Sequence, residues 1–357
     1  MRFILFTLEY PPFKGGVANY YGNMVDNWPK NSGIFVLDND NDRLIRSTGI
    51  LKWSKSIWVL KKTIKREGIK HVLVGNILPL GISTFILSKF LKIDYSIFLH
   101  GLDLSLATKN KWKRFITGFI IRRASRIICA NSKVLENLKE IYGDSTKYKV
   151  INPGVSYPSA NFNIEESKKR LIDKYELADK HILFSLGRLV TRKGFDNTIK
   201  AFKLLNDPKM VYVISGAGPD EGYLKTMAID FSDRIIFTGK ISEEDKWTFF
   251  DLSDIFIMPS RDISGDFEGF GIVYLEANLA KRAVIAGNSG GVSDAVIDGF
   301  NGVLVDPENI NDIANSIKDL IYNENLRLEL ASNGKERALS EFNWINKSKD
   351  IYNFLRE

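Results

Sequence analysis

The chain has one cysteine, Cys129, among 357 residues. That excludes a disulfide framework and any cysteine-rich metal site. Histidine is nearly as scarce, with three in all, and neither His71 nor His181 has a partner at metal-ligand spacing. Long apolar runs are missing as well. The longest candidate, Leu78 to Phe90, is broken by Pro79, Gly81 and Lys89, short of the roughly 18 residues that span a bilayer. The N-terminal run Phe3–Thr7 is too short for a signal-peptide core, lacks a small-residue cleavage site, and reads as a buried first strand. A cytoplasmic location is therefore expected, with any membrane contact peripheral. Disorder is excluded, because 44% of the residues are hydrophobic, enough apolar surface to build cores.

Acidic residues are sparse in one half only. Residues 1–160 carry 25 Lys+Arg against 11 Asp+Glu, a balance of +14, and residues 161–357 carry 25 against 32, a balance of −7. Such asymmetry points to a polyanionic surface facing the first half.

Short apolar runs alternate with helical patterns. In the first half the expected strands are Phe3–Thr7, Gly33–Leu37, His71–Val74, Tyr95–Leu99, Arg126–Ala130 and Lys149–Ile151. In the second half they are His181–Leu186, Val211–Ser215, Ile235–Thr238, Ile255–Met258, Ala283–Ala286 and Gly302–Val305. Two such series predict an α/β protein of two doubly wound, Rossmann-like domains. The boundary falls in the turn cluster Asn152-Pro153-Gly154-Val155-Ser156-Tyr157-Pro158. Ligands of open α/β sheets bind beyond the carboxyl ends of the strands. The chemistry is therefore expected in the loops after strands, facing a central cleft.

Five loops stand out. Glu9-Tyr10-Pro11-Pro12 leads to Gly15-Gly16 before a helix, where backbone N–H groups can approach an anion, although a plain turn reads as well. His100-Gly101-Leu102-Asp103 closes the fourth strand; His100 is placed to hydrogen-bond a substrate, or is simply a surface histidine. Gly187-Arg188 is followed by Lys193-Gly194, so a forked cation and a point cation share one loop. Ser215-Gly216-Ala217-Gly218 suggests a dinucleotide fingerprint, but the third glycine position is Glu221, so a tight βα turn is the better reading. The sharpest feature is Glu268-Gly269-Phe270-Gly271, whose glycines mark a loop, followed by an apolar run to Glu276 that reads as the start of a buried helix. Eight helical steps would set the two carboxylates roughly 12 Å apart, with a helix N-terminus between them to receive a diphosphate. Asp38-Asn39-Asp40-Asn41-Asp42 begins like a calcium loop, but its sixth position is Arg43, and it reads as a solvated acidic turn.

Taken in order, these motifs resemble the retaining glycosyltransferases of the GT-B fold, family 4, over nearly the whole chain. The stretch from Ser260 to Asp298, with Gly291-Val292-Ser293-Asp294-Ala295-Val296, is most similar to the phosphatidylinositol mannosyltransferase branch; Glu9 stands where that branch carries Asp. The resemblance implies an acceptor-binding domain over 1–155, a nucleotide-sugar domain over 156–340, and a C-terminal helix over 341–357 returning to the first domain. It implies that Arg188 and Lys193 grip the donor diphosphate and that the Gly15-Gly16 backbone, chiefly the Gly16 N–H, helps. Glu276 would bind the ribose and Glu268 the sugar hydroxyls, with Gly269, Phe270 and Gly271 nearby. His100 would hydrogen-bond the sugar, and Gly187 would be a donor-binding residue. Gly239, Lys240 and Ile241 would flank the base. Glu9, Tyr10, Asn19 and Asp103 are the acceptor-side candidates. The implied donor is GDP-mannose, with a UDP-sugar second, and no metal or other cofactor. The implied acceptor is lipid-linked or a glycan. Asp103 is the only carboxylate beside His100, and the family does not use it as a nucleophile, so retention by front-face attack is expected.

The basic surplus concentrates in two segments. Lys109 to Arg123 holds Lys109, Lys111, Lys113, Arg114, Arg122 and Arg123, with Trp112, Phe115, Ile116, Phe119 and Ile120 at helical spacing. Lys52 to Lys70 adds seven cations with Trp53 and Trp58. Both suit an anionic membrane surface, or a helix packed on its own domain. A nucleic-acid-binding protein would share the charge but not the two glutamates, and no nucleic-acid motif appears. The failed glycine fingerprint disfavours a dehydrogenase.

Overall fold

The computed structural model describes residues 2–13, 15–45, 53–158 and 162–357. Lys52, one of the cations of the second basic segment, lies outside them. The chain divides into two compact units, Met1–Gly154 with Trp344–Glu357, and Val155–Asn343.

The first unit holds β1 (Arg2–Phe6), β2 (Gly33–Leu37), β3 (His71–Val74), β4 (Asp94–Leu99), β5 (Arg126–Cys129) and β6 (Tyr148–Val150). The second holds β7 (His181–Leu186), β8 (Met210–Ser215), β9 (Ile235–Gly239), β10 (Ile255–Met258), β11 (Ala283–Gly287) and β12 (Val303–Val305). Each observed strand ends within one residue of its expected bounds. The pairings are parallel throughout, in the orders β2-β1-β3-β4-β5-β6 and β12-β11-β10-β7-β8-β9.

Runs such as His71–Val74 and Ile255–Met258 are buried at every residue, which an unalternating strand achieves only with helices on both faces. On β1, Ile4 and Phe6 join one apolar cluster with Val72, Val74 and Ile97. Phe3 and Leu5 join another with Tyr20, Tyr21 and Met24 of the helix Gly16–Asp26. The C-terminal helix Trp344–Phe354 caps this second face through Trp344, Ile351 and Phe354. Each fully buried side chain of this size contributes roughly 1.5–3 kcal/mol of burial.

The strand orders fix where ligands can enter. In the first sheet the order reverses between β1 and β3, and in the second between β7 and β10. At such switch points the helices leave in opposite directions and a crevice opens beyond the carboxyl ends. His100, Arg188 and Glu268 all lie on loops at strand carboxyl ends.

The basic helix departs from its expected form. A helix Leu102–Thr108 ends before Asn110, whose side chain caps the helix Lys111–Arg123 by accepting from the Lys113 N–H at 2.8 Å. The buried face of that helix is Thr117, Gly118, Ile120 and Ile121. Trp112 is 70% exposed and Phe115 59%, and Phe119 is exposed as well. The apolar stripe is thus split: Ile120 packs inward, and the three aromatic rings line the outside in mutual contact.

Candidate functional site

In the second unit the loop after β7 is clamped from two sides. Gly187 N–H bonds Ser215 O at 3.1 Å and Leu189 N–H bonds Ala217 O at 3.1 Å. Gly216 has φ +133°, and a Cβ there would lie 1.9 Å from the Gly187 carbonyl oxygen. Its glycine therefore serves close packing of two loops, which explains the pair of glycines that failed as a dinucleotide fingerprint. Across the switch point, Arg261 N–H bonds Arg192 O at 2.8 Å.

This clamped loop delivers cations to one carboxylate. Lys193 Nζ lies 2.5 Å and Arg192 2.9 Å from Glu268 Oε2, and Arg192 also reaches Asp266 at 3.2 Å. Glu268 and Lys193 are buried. Burial alone would raise the Glu268 pKa; the Lys193 ammonium and the Arg192 guanidinium outweigh it and hold the carboxyl below its ordinary range. Arg188 is exposed, and no ion pair involves it among the described residues.

Glu268 lies in the loop its glycines mark, so the span to Glu276 is not eight helical steps. The helix Ile272–Leu279 begins only after Gly271, whose φ of +78° turns the chain. Glu268 sits in the preceding loop, with its carbonyl accepting from Gly291 N–H at 3.0 Å, and Glu276 sits on the helix. The Phe270 ring is buried in the core against Phe342, so only its backbone is available to a ligand. Glu276 Oε1 accepts from Lys246 Nζ at 2.9 Å, and Lys246 also pairs with Glu243 at 2.8 Å. Burial would lower the Lys246 pKa, but the neighbouring carboxylates, Glu276 first, raise it. Gly239 ends β9, Lys240 is exposed and Ile241 packs against the apolar core.

In the first unit, His100 Nε2 lies 2.9 Å from the Tyr21 hydroxyl. Burial pushes the His100 pKa down to about 4, so the ring is neutral at pH 7. Asp103 Oδ1 accepts from the backbone N–H groups of His100, Gly101 and Leu104 at 2.9–3.0 Å. Burial nonetheless raises the Asp103 pKa to about 6. Asp103 therefore shapes the turn that carries His100. Gly16 opens the helix Gly16–Asp26, and a Cβ added there would meet nothing within 4 Å. The fold does not require a glycine there; as the first residue of the helix, Gly16 has an N–H with no intrahelical partner. A Cβ at Gly15 would stand 3.6 Å from Glu9 Oε2. Burial raises the Glu9 pKa, and burial with Asp26 and Asp38 raises that of Tyr10. Asn19 is exposed on the helix.

Three residues here escaped sequence reasoning. Arg192 was hidden beside Lys193, Lys246 is thirty positions from Glu276, and Tyr21 sits in an apolar helix where aromatic residues read as core. His71, by contrast, is buried and bonded to Ser96 Oγ at 2.8 Å, a structural histidine. Among the described residues no group of three or more His, Cys, Asp or Glu side chains converges as metal ligands.

The family of glycosyl transferases group 1 matches residues 167–337, which carry the Arg192–Lys193–Glu268 cluster and Glu276. The chain is a glycosyltransferase, and its residues 167–337 belong to group 1. The enzyme is 25% identical over 389 aligned positions to the GDP-mannose-dependent alpha-(1-6)-phosphatidylinositol monomannoside mannosyltransferase of Mycobacterium tuberculosis, covering 99% of this chain and 98% of that one. It is 24% identical to the GDP-mannose-dependent monoacylated alpha-(1-6)-phosphatidylinositol monomannoside mannosyltransferase of Corynebacterium glutamicum, covering 99% and 97%. Among solved structures, the Anabaena protein HepE in complex with UDP superposes with a TM-score of 0.81 at 18% identity, covering both chains fully. A glycosyltransferase from Rickettsia africae superposes with a TM-score of 0.82 at 18% identity, covering 100% of this chain and 99% of that one. The glycosyltransferase thus has the GT-B form of the α/β fold.

Proposed function

We propose that the enzyme moves a hexose, mannose from GDP-mannose, to a lipid-linked or polysaccharide-type glycan acceptor at the cytoplasmic face of a membrane, with retention and without a metal. The observation that carries this reading is the buried Lys193–Glu268 pair at the β7/β10 switch point, with Arg192 joined to it and Arg188 in no ion pair among the described residues. Departure of a nucleoside diphosphate develops negative charge on its oxygens. Arg188, Lys193 and the N-terminus of the helix Ile272–Leu279 place fixed positive charge in one loop cluster, where it acts without reorganising. Glu268 takes sugar hydroxyls, Glu276 the ribose hydroxyls, and the backbone at Gly239-Lys240-Ile241 flanks the base. In the first unit, the Gly16 N–H is assigned to a phosphate and His100 to a sugar hydroxyl.

In the transfer itself, the acceptor oxygen bonds to the anomeric carbon while the carbon–phosphate oxygen bond breaks. The leaving oxygen takes the bonding pair, and then the acceptor's proton. The mannose donor is supported by the two mannosyltransferase relatives, which are named as GDP-mannose-dependent. No helix among the described residues is long and apolar enough to cross a membrane. The membrane reading is supported instead by the exposed Leu102, Leu106, Trp112, Phe115 and Phe119, set among Lys109, Lys111, Lys113 and Arg114. Apolar side chains ringed by cations suit an anionic bilayer interface.

The test is transfer from GDP-mannose and from UDP-glucose to a phosphatidylinositol-containing lipid extract in EDTA, with the product's anomeric configuration read by NMR. An α-linked product from the α-configured donor is expected. An inverted product, a trapped covalent glycosyl-enzyme, or loss of activity in EDTA would each overturn the corresponding part of the reading.

A further inference from the structure

Tyr21 is fully buried on the helix Gly16–Asp26, and its hydroxyl donates to the Gly75 carbonyl oxygen at 2.8 Å. Gly75 follows β3 and is itself anchored, its N–H bonding Phe6 O at 2.8 Å. A carbonyl oxygen has no hydrogen to give, so the single hydroxyl hydrogen of Tyr21 is committed to Gly75. His100 Nε2 lies 2.9 Å from that same hydroxyl oxygen. Since the oxygen has already given its hydrogen away, it must accept here, and Nε2 must carry the hydrogen. In the reverse arrangement Tyr21 would donate to a bare Nε2. Two oxygens would then face each other lone pair to lone pair at 2.8 Å, an uncompensated contact in a buried place.

A neutral imidazole has one N–H, so Nδ1 is left with a lone pair. Nδ1 has no hydrogen-bond partner among the described residues, and the residue is partly exposed. The ring sits in a fixed aromatic setting. Tyr20 and Tyr21 pack edgewise on it at centroid distances of 4.9 and 5.3 Å, and the His100 backbone N–H is tied to Asp103 at 3.0 Å.

We infer that Tyr21 is a positioning residue that fixes His100 in the Nε2–H tautomer, so that Nδ1 accepts a hydrogen bond from a sugar hydroxyl and selects hydroxyl-bearing substrates at that position. Burial reinforces this by keeping the ring neutral. A carboxylate at the same place would meet a lone pair, and a deoxy sugar would leave Nδ1 without a donor. The inference rests on the reading of His100 as sugar-facing, and its test separates the two.

The experiment is a long-range proton–nitrogen correlation spectrum of the full chain labelled with 15N-histidine, without ligand, at pH 7. Loss of one signal set in His100→Asn assigns His100 among the three histidines. The Nε2–H pattern is expected in the wild type; an Nδ1–H pattern overturns the inference. In Tyr21→Phe the single tautomer should give way to a mixture, and kcat should fall about tenfold, the worth of one hydrogen bond, with the donor KM moving less than threefold. His100→Asn, whose amide oxygen takes the place of Nδ1, should retain more activity than His100→Gln. Unchanged kcat in Tyr21→Phe, or the opposite order of the two His100 variants, overturns the inference. The wild-type spectrum decides the tautomer even if Tyr21→Phe does not fold. An inactive wild type that still shows the Nε2–H form supports the tautomer and overturns the sugar-transfer reading instead.

Discussion

Lys193 Nζ and Glu268 Oε2 lie 2.5 Å apart in a buried place, each the other's nearest compensation for lost water. A nucleoside diphosphate arriving at this loop competes with Glu268 for the ammonium and frees the carboxylate for hydroxyl groups. Glu268→Gln leaves Lys193 buried without its carboxylate. Breaking such a pair costs roughly 3–5 kcal/mol; Arg192 already shares the carboxylate, so the loss should fall at the upper end. Urea unfolding checks this. Saturating GDP should raise the stability of Glu268→Gln by more than that of the wild type, because the phosphates then supply the missing negative charge. An equal rise in both would mean that the diphosphate does not approach Lys193.

Lys246 holds Glu276 at 2.9 Å. Lys246→Met removes that tether and leaves the carboxylate free to swing. A weaker GDP affinity by about tenfold is expected, with kcat at saturating donor changed by less than twofold. Isothermal titration calorimetry and steady-state kinetics read the two effects separately.

The stability of the first unit should depend on acid in a definite sense. The pKa values of His71 and His100 are lowered by burial to about 4, so between pH 6.5 and 4 the unfolded chain takes up protons that these folded histidines refuse. Stability is then lost as the pH falls through that window. Asp103, raised to about 6, acts in the opposite sense, because its folded form protonates first and gains stability below pH 6. Glu9, also raised by burial, acts in the same sense as Asp103; against the two strongly lowered histidines, net weakening towards pH 4 is still expected. His71→Gln, which can still reach Ser96, should flatten the slope in unfolding measured at pH 7, 5.5 and 4.5, by up to roughly 3 kcal/mol at the acid end.

Lys109, Lys111, Lys113 and Arg114 carry no acidic partner in the ion pairs described. Neutralising the four together should weaken sedimentation with anionic vesicles and make the remainder insensitive to salt, while GDP binding stays unchanged. Trp112→Ser with Phe115→Ser should weaken vesicle binding at high salt, where the charges are screened. Loss of GDP binding in either variant would mean that the surface is structural.

The strands were legible because parallel sheets bury whole apolar runs, such as Val72–Val74 and Ile255–Met258, and turn residues bound them. Loops carrying Arg188, Lys193 and Glu268 were legible because glycines beside charged residues at strand ends are conspicuous. Tertiary choices were not. Which face of the helix Lys111–Arg123 turns inward is set by Thr117, Gly118 and Ile121, small or β-branched residues that the aromatic stripe overshadowed. The Glu268 backbone depended on Gly271 adopting a left-handed conformation, which sets the helix start at Ile272, one turn after Glu268. Lys246 and Glu276 meet because the helices Glu243–Leu252 and Ile272–Leu279 share one apolar cluster, and no local pattern carries that.

The most direct test of donor binding is a thermal-shift titration of the full chain with GDP, UDP, GDP-mannose and UDP-glucose, in parallel with Arg188→Ala and Lys193→Ala. Mass action ties the stabilisation to ligand concentration over dissociation constant. A saturable rise, largest with the GDP ligands and abolished in both variants, is the expected result. No shift with any of the four ligands, or a shift that survives both substitutions, would contradict the assignment of this loop cluster as the site of the nucleoside diphosphate.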